Sequence, residues 1–124
     1  MTSVTAAGGD TGGMFAAIDA KDGPAFVSYL TEDAVFRFGS APPVQGRASI
    51  QAAVEGFFTT IAGCSHNIMN TLRQNNTQVC EGVVTYTRLD GSEIALPFTD
   101  VFEYEGSLIA QYKIYIDISP LLAD

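Results

Sequence analysis

Apolar residues in the first half of the chain recur every three or four positions, the spacing typical of amphipathic helices. Residues 14–23 carry this pattern, and residues 22–30 resume it after a Gly–Pro step. Asp22 can cap the second helix, and Pro24 suits its first turn. A longer run of the same spacing covers residues 48–61. The pattern therefore predicts three helices in this part of the chain.

The second half alternates apolar and polar residues, which predicts strands. A short strand at residues 32–39 precedes four longer ones, at residues 65–73, 77–89, 94–105 and 109–118. Helices followed by strands in this order predict an α+β fold, with a curved antiparallel sheet that carries helices on one face. A strongly curved sheet closed by helices forms a cone, and the mouth of the cone is a natural ligand pocket.

The register of the long hairpin decides which side chains share a face. Asp90 and Gly91 predict a two-residue turn. Both central residues of such a turn take positive φ, and Asp–Gly is one of the pairs that tolerate it. Arg88 then opposes Glu93, most simply as a surface ion pair. The face that holds Asp100 would include six further side chains: Val83, Thr85, Thr87, Ile94, Leu96 and Phe98. This face is mostly apolar, so the carboxyl group on it is unusual.

Asp100 is the first candidate for chemistry. Burial disfavours the charged form of a carboxyl group, so we expect a raised pKa. The group could then donate a proton near neutral pH, or act as a base once paired. It could instead bond a backbone group or the only imidazole, that of His66, without any chemical role. A neutral imidazole and a carboxyl group that face one apolar cavity would form an acid–base pair.

Composition and charge narrow the classes of partner. The 124 residues fit one domain, which we place at residues 13–124 after a small, Gly-rich and flexible N-terminal tail at residues 1–12. The net charge of −8 repels phosphate groups and anionic lipids, so neither nucleic acid nor a membrane surface is expected as a partner. The tail has neither the basic segment nor the apolar core of a secretion signal, which predicts a cytoplasmic location.

The remaining reactive side chains do not suggest a metal or a cofactor. Cys64 and Cys80 lack the spacing of metal ligands, and His66 has no cluster of cysteines and carboxylates near it in the sequence. No stretch resembles a nucleotide-binding loop. We therefore expect two free thiols, no metal and no cofactor.

Three stretches resemble a known superfamily, and they occur in its order and spacing: AAIDAKDGPAFVSYLTEDAVFRF, GRASIQAAVEGFF and VTYTRLDGSEIALPFTDVFEYEGSLIAQYKIYIDISPL. The chain resembles the nuclear transport factor 2-like superfamily, in its SnoaL-like polyketide cyclase and ketosteroid isomerase-like branch, from about Met14 to Leu122. The resemblance implies a cystatin-like α+β barrel, in which a cone-shaped sheet wraps around three N-terminal helices. It also implies a deep pocket and a homodimer formed through the convex face of the sheet.

The resemblance carries over some catalytic positions and not others. In ketosteroid isomerases an Asp before an aromatic residue helps to form the oxyanion hole, and Asp100 takes that position. Where ketosteroid isomerases have a catalytic Tyr, this chain has Met14. Where they have the general base, it has Phe38. Limonene-epoxide hydrolases, which are also similar over the last strand, have an Asp where this chain has Ile114. SnoaL-like cyclases use pocket Asp and His residues, and the matching types here are His66 and Asp100.

Two functions from different classes follow. The first is a cofactor-independent isomerase, cyclase or dehydratase that acts on a small apolar carbonyl compound. Asp100 would donate a hydrogen bond to the enolate oxygen and His66 would move the proton. Seven apolar residues would bind the ligand: Phe36, Phe38, Phe58, Phe98, Tyr112, Ile114 and Ile116. The second is a non-catalytic ligand-binding or dimeric scaffold domain, since fold does not determine function.

Overall fold

The structure, a computed structural model, describes residues 11–123. Its elements are, in order, α1 (Thr11–Asp19), α2 (Gly23–Val27), β1 (Leu30–Phe38), β2 (Val44–Gln45), α3 (Arg47–Phe58), β3 (Gly63–Gln74), β4 (Thr77–Thr87), β5 (Glu93–Glu105), β6 (Leu108–Tyr115) and α4 (Ser119–Leu122). The three predicted helices and five predicted strands are all present, so the α+β fold class is confirmed. Two short elements, β2 and α4, were not predicted. Most of the predicted tail lies outside the described residues, and α1 begins at Thr11.

One six-stranded sheet, in the order β2-β1-β6-β5-β4-β3, is curved and does not close on itself. Strands β3 to β6 form a continuous antiparallel meander, as predicted. Strand β1 pairs with β6 in parallel, so the sheet is mixed rather than wholly antiparallel. This pairing sets Phe36 opposite Tyr112, and their rings pack edge to face with centroids 5.4 Å apart. The first and last strands thereby form one wall of the interior.

The helices are held against the sheet by specific backbone contacts. Asp22 caps α2, because its carboxylate accepts a hydrogen bond of 3.0 Å from the Ala25 N–H. The Lys21 ammonium group donates to the carbonyls of Ile61 at 2.9 Å and Phe58 at 3.3 Å. These carbonyls lie at and beyond the end of α3, where carbonyl groups lack partners within the helix. The α1–α2 connection is thus fixed to the end of α3.

The core lies between the concave face of the sheet and the helices. The largest fully buried side chains include Phe26, Phe102, Tyr112 and Met14. Burying an aromatic or aliphatic side chain of this size stabilises a fold by about 1.5–3 kcal/mol. Among the described residues, none of the helices has the length and apolar character needed to cross a bilayer.

The hairpin between β4 and β5 differs from the prediction. The Arg88 N–H donates to the Ser92 carbonyl at 2.7 Å, and the Gly91 N–H donates to the Arg88 carbonyl at 2.9 Å. The loop therefore has three residues rather than two, and Gly91 adopts a φ of 91° that favours glycine. The additional residue shifts the register by one position. Because side chains alternate, this shift moves the whole of β4 to the opposite face.

The predicted inner face of β4 was therefore wrong. Val83, Thr85 and Thr87 do not share the face of Asp100. The inner face of β4 instead carries Gln78, Cys80, Val84 and Tyr86, all of them buried. Cys80 is the register partner of Asp100. The predicted β5 face was correct, since Leu96, Phe98 and Phe102 are buried beside Asp100.

The predicted ion pair between Arg88 and Glu93 is also absent. The Arg88 guanidinium group donates to the carbonyls of Pro120 at 2.9 Å and Leu121 at 3.2 Å. Those carbonyls belong to α4, so Arg88 anchors the C-terminal helix to the β4–β5 hairpin. The register shift explains the difference, because Thr87 rather than Arg88 is the partner of Glu93.

Candidate functional site

A cavity of about 230 Å³ lies between the concave face of the sheet and the helices. The structure places all nine sequence-derived site residues along its wall: His66, Asp100, Phe36, Phe38, Phe58, Phe98, Tyr112, Ile114 and Ile116. Three further aromatic residues on the wall, Phe26, Phe57 and Tyr86, were not foreseen. The rings of Phe57 and Tyr86 meet edge to face with centroids 5.7 Å apart, and the Phe57 ring also meets that of Phe38 at 5.2 Å. The wall is therefore mainly aromatic and aliphatic.

Asp100 is the buried acid of this cavity. Its side chain is only 1% exposed, and its Oδ2 accepts a hydrogen bond of 2.9 Å from the Tyr112 hydroxyl. Its Oδ1 is buried and has no hydrogen-bond partner among the described residues. Desolvation raises the pKa of Asp100 to about 8, against the lowering effect of the Tyr112 hydroxyl. The carboxyl group is therefore protonated at neutral pH and can donate a hydrogen bond.

The Tyr112 hydroxyl donates to Asp100 and is itself held in place by its surroundings. Its ring packs against Phe102 at 4.6 Å, Phe36 at 5.4 Å and Phe26 at 6.0 Å. Burial and the nearby Asp100 raise the pKa of Tyr112 well above its ordinary value. The phenol therefore stays protonated, and it orients one oxygen of Asp100 while the other stays available.

His66 has a partner that the sequence analysis did not identify. Its Nδ1 lies 2.6 Å from Oδ1 of Asp19, the last residue of α1. The His66 backbone N–H donates to the second oxygen of the same carboxylate at 3.0 Å. An ionised carboxylate can only accept hydrogen bonds, so Nδ1 is the donor in this contact. In the neutral imidazole, the lone pair is then on Nε2. The His66 ring also packs against Phe15 at 5.0 Å and Phe98 at 5.3 Å.

His66 and Asp100 therefore line one cavity without forming a pair. Each has a different hydrogen-bond partner, Asp19 in one case and Tyr112 in the other. A signal for Asp19 was present in the sequence: it follows Phe15 by four residues, and positions four apart share a face of a helix. Because Phe15 is buried, that face meets the sheet.

Within residues 11–123, one group of side chains could hold a metal ion. Donor atoms of Asp19, Cys64 and His66 lie within 4.8 Å of one another. Tetrahedral ligands bound at about 2.0–2.1 Å would lie ~3.3 Å apart, whereas Nδ1 of His66 and Oδ1 of Asp19 are 2.6 Å apart. Burial and the neighbouring Asp19 carboxylate raise the pKa of the Cys64 thiol to about 12, which disfavours the thiolate that binds metals. The geometry favours a hydrogen-bonded His–Asp pair.

The curved sheet encloses an apolar cavity against its helices, and the wall of the cavity carries a buried acid. This arrangement is typical of cone-shaped α+β domains that bind small ligands. The sequence profile of the SnoaL-like domain matches residues 12–112. The chain belongs to the SnoaL-like domain family. None of the curated protein sequences matches the chain.

Solved structures share the fold. An NTF2-like protein of unknown function from Burkholderia pseudomallei has a TM-score of 0.82 at 16% identity, over 90% of this chain and 91% of that one. TerC, co-crystallised with polyporic acid, has a TM-score of 0.80 at 16% identity, over 90% and 92%. A protein from Shewanella denitrificans, assigned to the SnoaL-like polyketide cyclases, has a TM-score of 0.79 at 15% identity, over 90% of each chain.

Proposed function

We propose that this protein binds a small hydrophobic carbonyl compound and catalyses a cofactor-independent proton transfer on it, as an isomerase, cyclase or dehydratase. The observation that carries the proposal is the buried Oδ1 of Asp100, which has no hydrogen-bond partner among the described residues and belongs to a residue in the wall of an apolar cavity. A buried polar atom without a partner is costly. A ligand oxygen that supplies the partner therefore gains affinity at this position.

Asp100 would act on the carbonyl oxygen. Since its carboxyl group is protonated at neutral pH, it can donate its proton in a hydrogen bond to that oxygen. The bond strengthens as negative charge develops on the oxygen during enolisation. Preorganised donors in an apolar site stabilise such charge more effectively than water does. Tyr112 would act as a positioning residue, because it holds the other carboxyl oxygen.

His66 would act on carbon. With Nδ1 bonded to Asp19, Nε2 is the basic nitrogen that could accept the α-proton of a bound ketone. The electron pair of the C–H bond then forms the enolate, and the imidazolium is stabilised by the Asp19 carboxylate. Return of the proton at another carbon gives isomerisation. Attack of the enolate on a second carbonyl of the same ligand forms the new C–C bond, and the resulting alkoxide takes the proton back from His66, which gives cyclisation. Loss of a β-hydroxyl group as water, with the same proton supplied by His66, gives dehydration.

The second candidate is a non-catalytic ligand-binding or dimeric scaffold domain. It is favoured by Met14 and Phe38, which stand where ketosteroid isomerases carry a Tyr and the general base. In that case the cavity would bind the same class of compound without moving a proton. The homodimer and the cytoplasmic location remain predictions in both cases.

Deuterium exchange separates the two candidates. The probe is 2-tetralone, a two-ring ketone with acidic α-protons, and the loss of its α-proton signals in D₂O is followed by NMR. We expect the wild-type protein to accelerate exchange above the buffer rate. His66→Gln and Asp100→Asn should each reduce this acceleration by about 10²-fold or more. Asp33→Asn, which changes an exposed carboxylate on β1, is the matched control. Exchange at the buffer rate with wild-type protein would refute the catalytic proposal.

A further inference from the structure

Tyr86 carries a polar group in the cavity wall that the proposed chemistry of Asp100 and His66 does not use. It lies on the inner face of β4, lines the cavity, and is only 4% exposed. Its ring contacts Phe57, and its hydroxyl group has no hydrogen-bond partner among residues 11–123. Burial raises the pKa of this phenol well above its ordinary value, so it remains a hydrogen-bond donor at any physiological pH.

The position of Tyr86 relative to Asp100 suggests the shape of the ligand. In the register of β4 and β5, Tyr86 opposes Ile94, whereas Cys80 opposes Asp100. The two polar residues are therefore six positions apart along these strands, near opposite ends of the inner face. Six residues of a straight strand span ~20 Å, but the curvature of the sheet and the length of the phenol side chain bring the two polar groups close enough for Asp100 to contribute to the raised pKa of Tyr86. A ligand that reaches both groups is elongated.

The wall of the cavity also restricts the charge of the ligand. Among the lining residues that the structure describes, none is a lysine or an arginine. A carboxylate or phosphate group would lose its hydration without gaining an opposite charge, which is strongly unfavourable. The net charge of −8 would further repel an anion. The volume of about 230 Å³ lies below the usual range for ligand pockets, ~300–1,000 Å³, which limits the ligand to one or two rings.

We infer that the cavity binds an uncharged, elongated compound of two rings that carries an oxygen at each end, one bound by Asp100 and the other by Tyr86. This inference rests on the proposed function, because it places the reacting oxygen at Asp100. Tyr86 is a specificity-determining residue: it selects ligands with a second oxygen and takes no part in the proton transfer.

Three matched probes test this inference by equilibrium binding at about pH 6.5, measured by isothermal titration calorimetry. They are 4-phenylphenol, 4,4′-dihydroxybiphenyl and 4′-hydroxybiphenyl-4-carboxylate, which differ only at the second end. A neutral hydrogen bond contributes about 0.5–1.5 kcal/mol, so the diol should bind roughly three- to tenfold more tightly than 4-phenylphenol. The carboxylate should bind at least tenfold more weakly than 4-phenylphenol.

The variant Tyr86→Phe removes the hydroxyl group and keeps the ring. We expect it to abolish the advantage of the diol and to leave the affinity for 4-phenylphenol within twofold. Tyr115→Phe, at an exposed tyrosine outside the cavity wall, is the matched control and should change neither affinity. Circular dichroism verifies that both variants are folded.

Several outcomes would overturn the inference: no binding of any probe, equal binding of the carboxylate, or a diol advantage that survives in Tyr86→Phe. Equal weakening of both phenols in Tyr86→Phe would also overturn it, because Tyr86 would then hold the first oxygen. None of these results depends on turnover. A protein that exchanges 2-tetralone protons but shows no effect of Tyr86→Phe keeps the proposed function and loses this inference.

Discussion

The imidazole of His66 and the carboxylate of Asp19 are joined by a hydrogen bond of 2.6 Å that links β3 to the end of α1. The same carboxylate also accepts the His66 backbone N–H, so both oxygens hold one residue. A histidine held in this way has a fixed ring orientation and a fixed tautomer. Asp19 therefore acts as a positioning residue for the proposed base.

Asp19→Asn should lower the rate of 2-tetralone exchange by on the order of 10²-fold, because an amide can stabilise the wrong tautomer and cannot stabilise the imidazolium. The affinity for 4-phenylphenol should change by less than twofold, since Asp19 is not among the residues that line the cavity. NMR exchange rates and calorimetry measure the two effects. The idea fails if affinity and rate fall together, which would indicate a general loss of structure.

The unfolding free energy should depend on pH through Asp100. Its pKa is about 8 in the folded protein against an ordinary value of 3.8, so between these values the native state binds more protons than the unfolded state. Stability from this group is therefore fully present below about pH 4 and is lost as pH rises towards 8. Relative to that of Asp100→Asn, the unfolding free energy of the wild type should fall by up to about 1.4 kcal/mol per pH unit in this window.

Urea denaturation of both proteins from pH 5 to pH 9 measures this difference. The two curves should diverge up to about pH 8 and run parallel above it, because Asp100 is then ionised in both states. Parallel curves over the whole range would show that the carboxyl group is not buried in its protonated form.

Gly82 should be intolerant of any side chain. A Cβ atom at this position would lie 2.0 Å from the carbonyl oxygen of Asn67, on the neighbouring strand β3. Since a backbone atom cannot move aside easily, Gly82→Ala should lower the unfolding free energy by about 3 kcal/mol. Gly56→Ala is the matched control: apart from the backbone of α3 itself, no atom of the described residues lies within 4 Å of the added Cβ, and alanine favours α3 by about 0.5–1 kcal/mol. The midpoint temperature of thermal denaturation should therefore fall for Gly82→Ala and rise for Gly56→Ala.

The predicted homodimer can be tested on the outer face of the sheet. Tyr115 on β6 is 57% exposed on this face, opposite to the cavity. We expect light scattering to give twice the chain mass of 13.2 kDa, and Tyr115→Glu to give 13.2 kDa, since a buried charge without a partner opposes association. Leu89→Glu, at an exposed position in the hairpin loop, should remain dimeric. A wild-type mass of 13.2 kDa at every concentration would exclude the dimer.

Features that depend on neighbours along the chain could be predicted. The spacing of apolar residues located all three N-terminal helices, because a helix repeats every 3.6 residues. Alternation along β5 placed Asp100 among Leu96, Phe98 and Phe102, and these four residues are buried together. The strand carries this information without reference to its neighbours, since each side chain simply points opposite to the previous one.

Features that depend on contacts between distant segments could not be predicted from the sequence. Gly91 is compatible with a two-residue or a three-residue loop, and the difference of one residue reversed the faces of β4. His66 and Asp19 are 47 residues apart, and their contact exists because the packing of α1 against β3 brings them together. Local periodicity states which side of an element is apolar. It contains no distance between elements, so the partners of Asp100 and His66 followed from how the sheet curves around the helices.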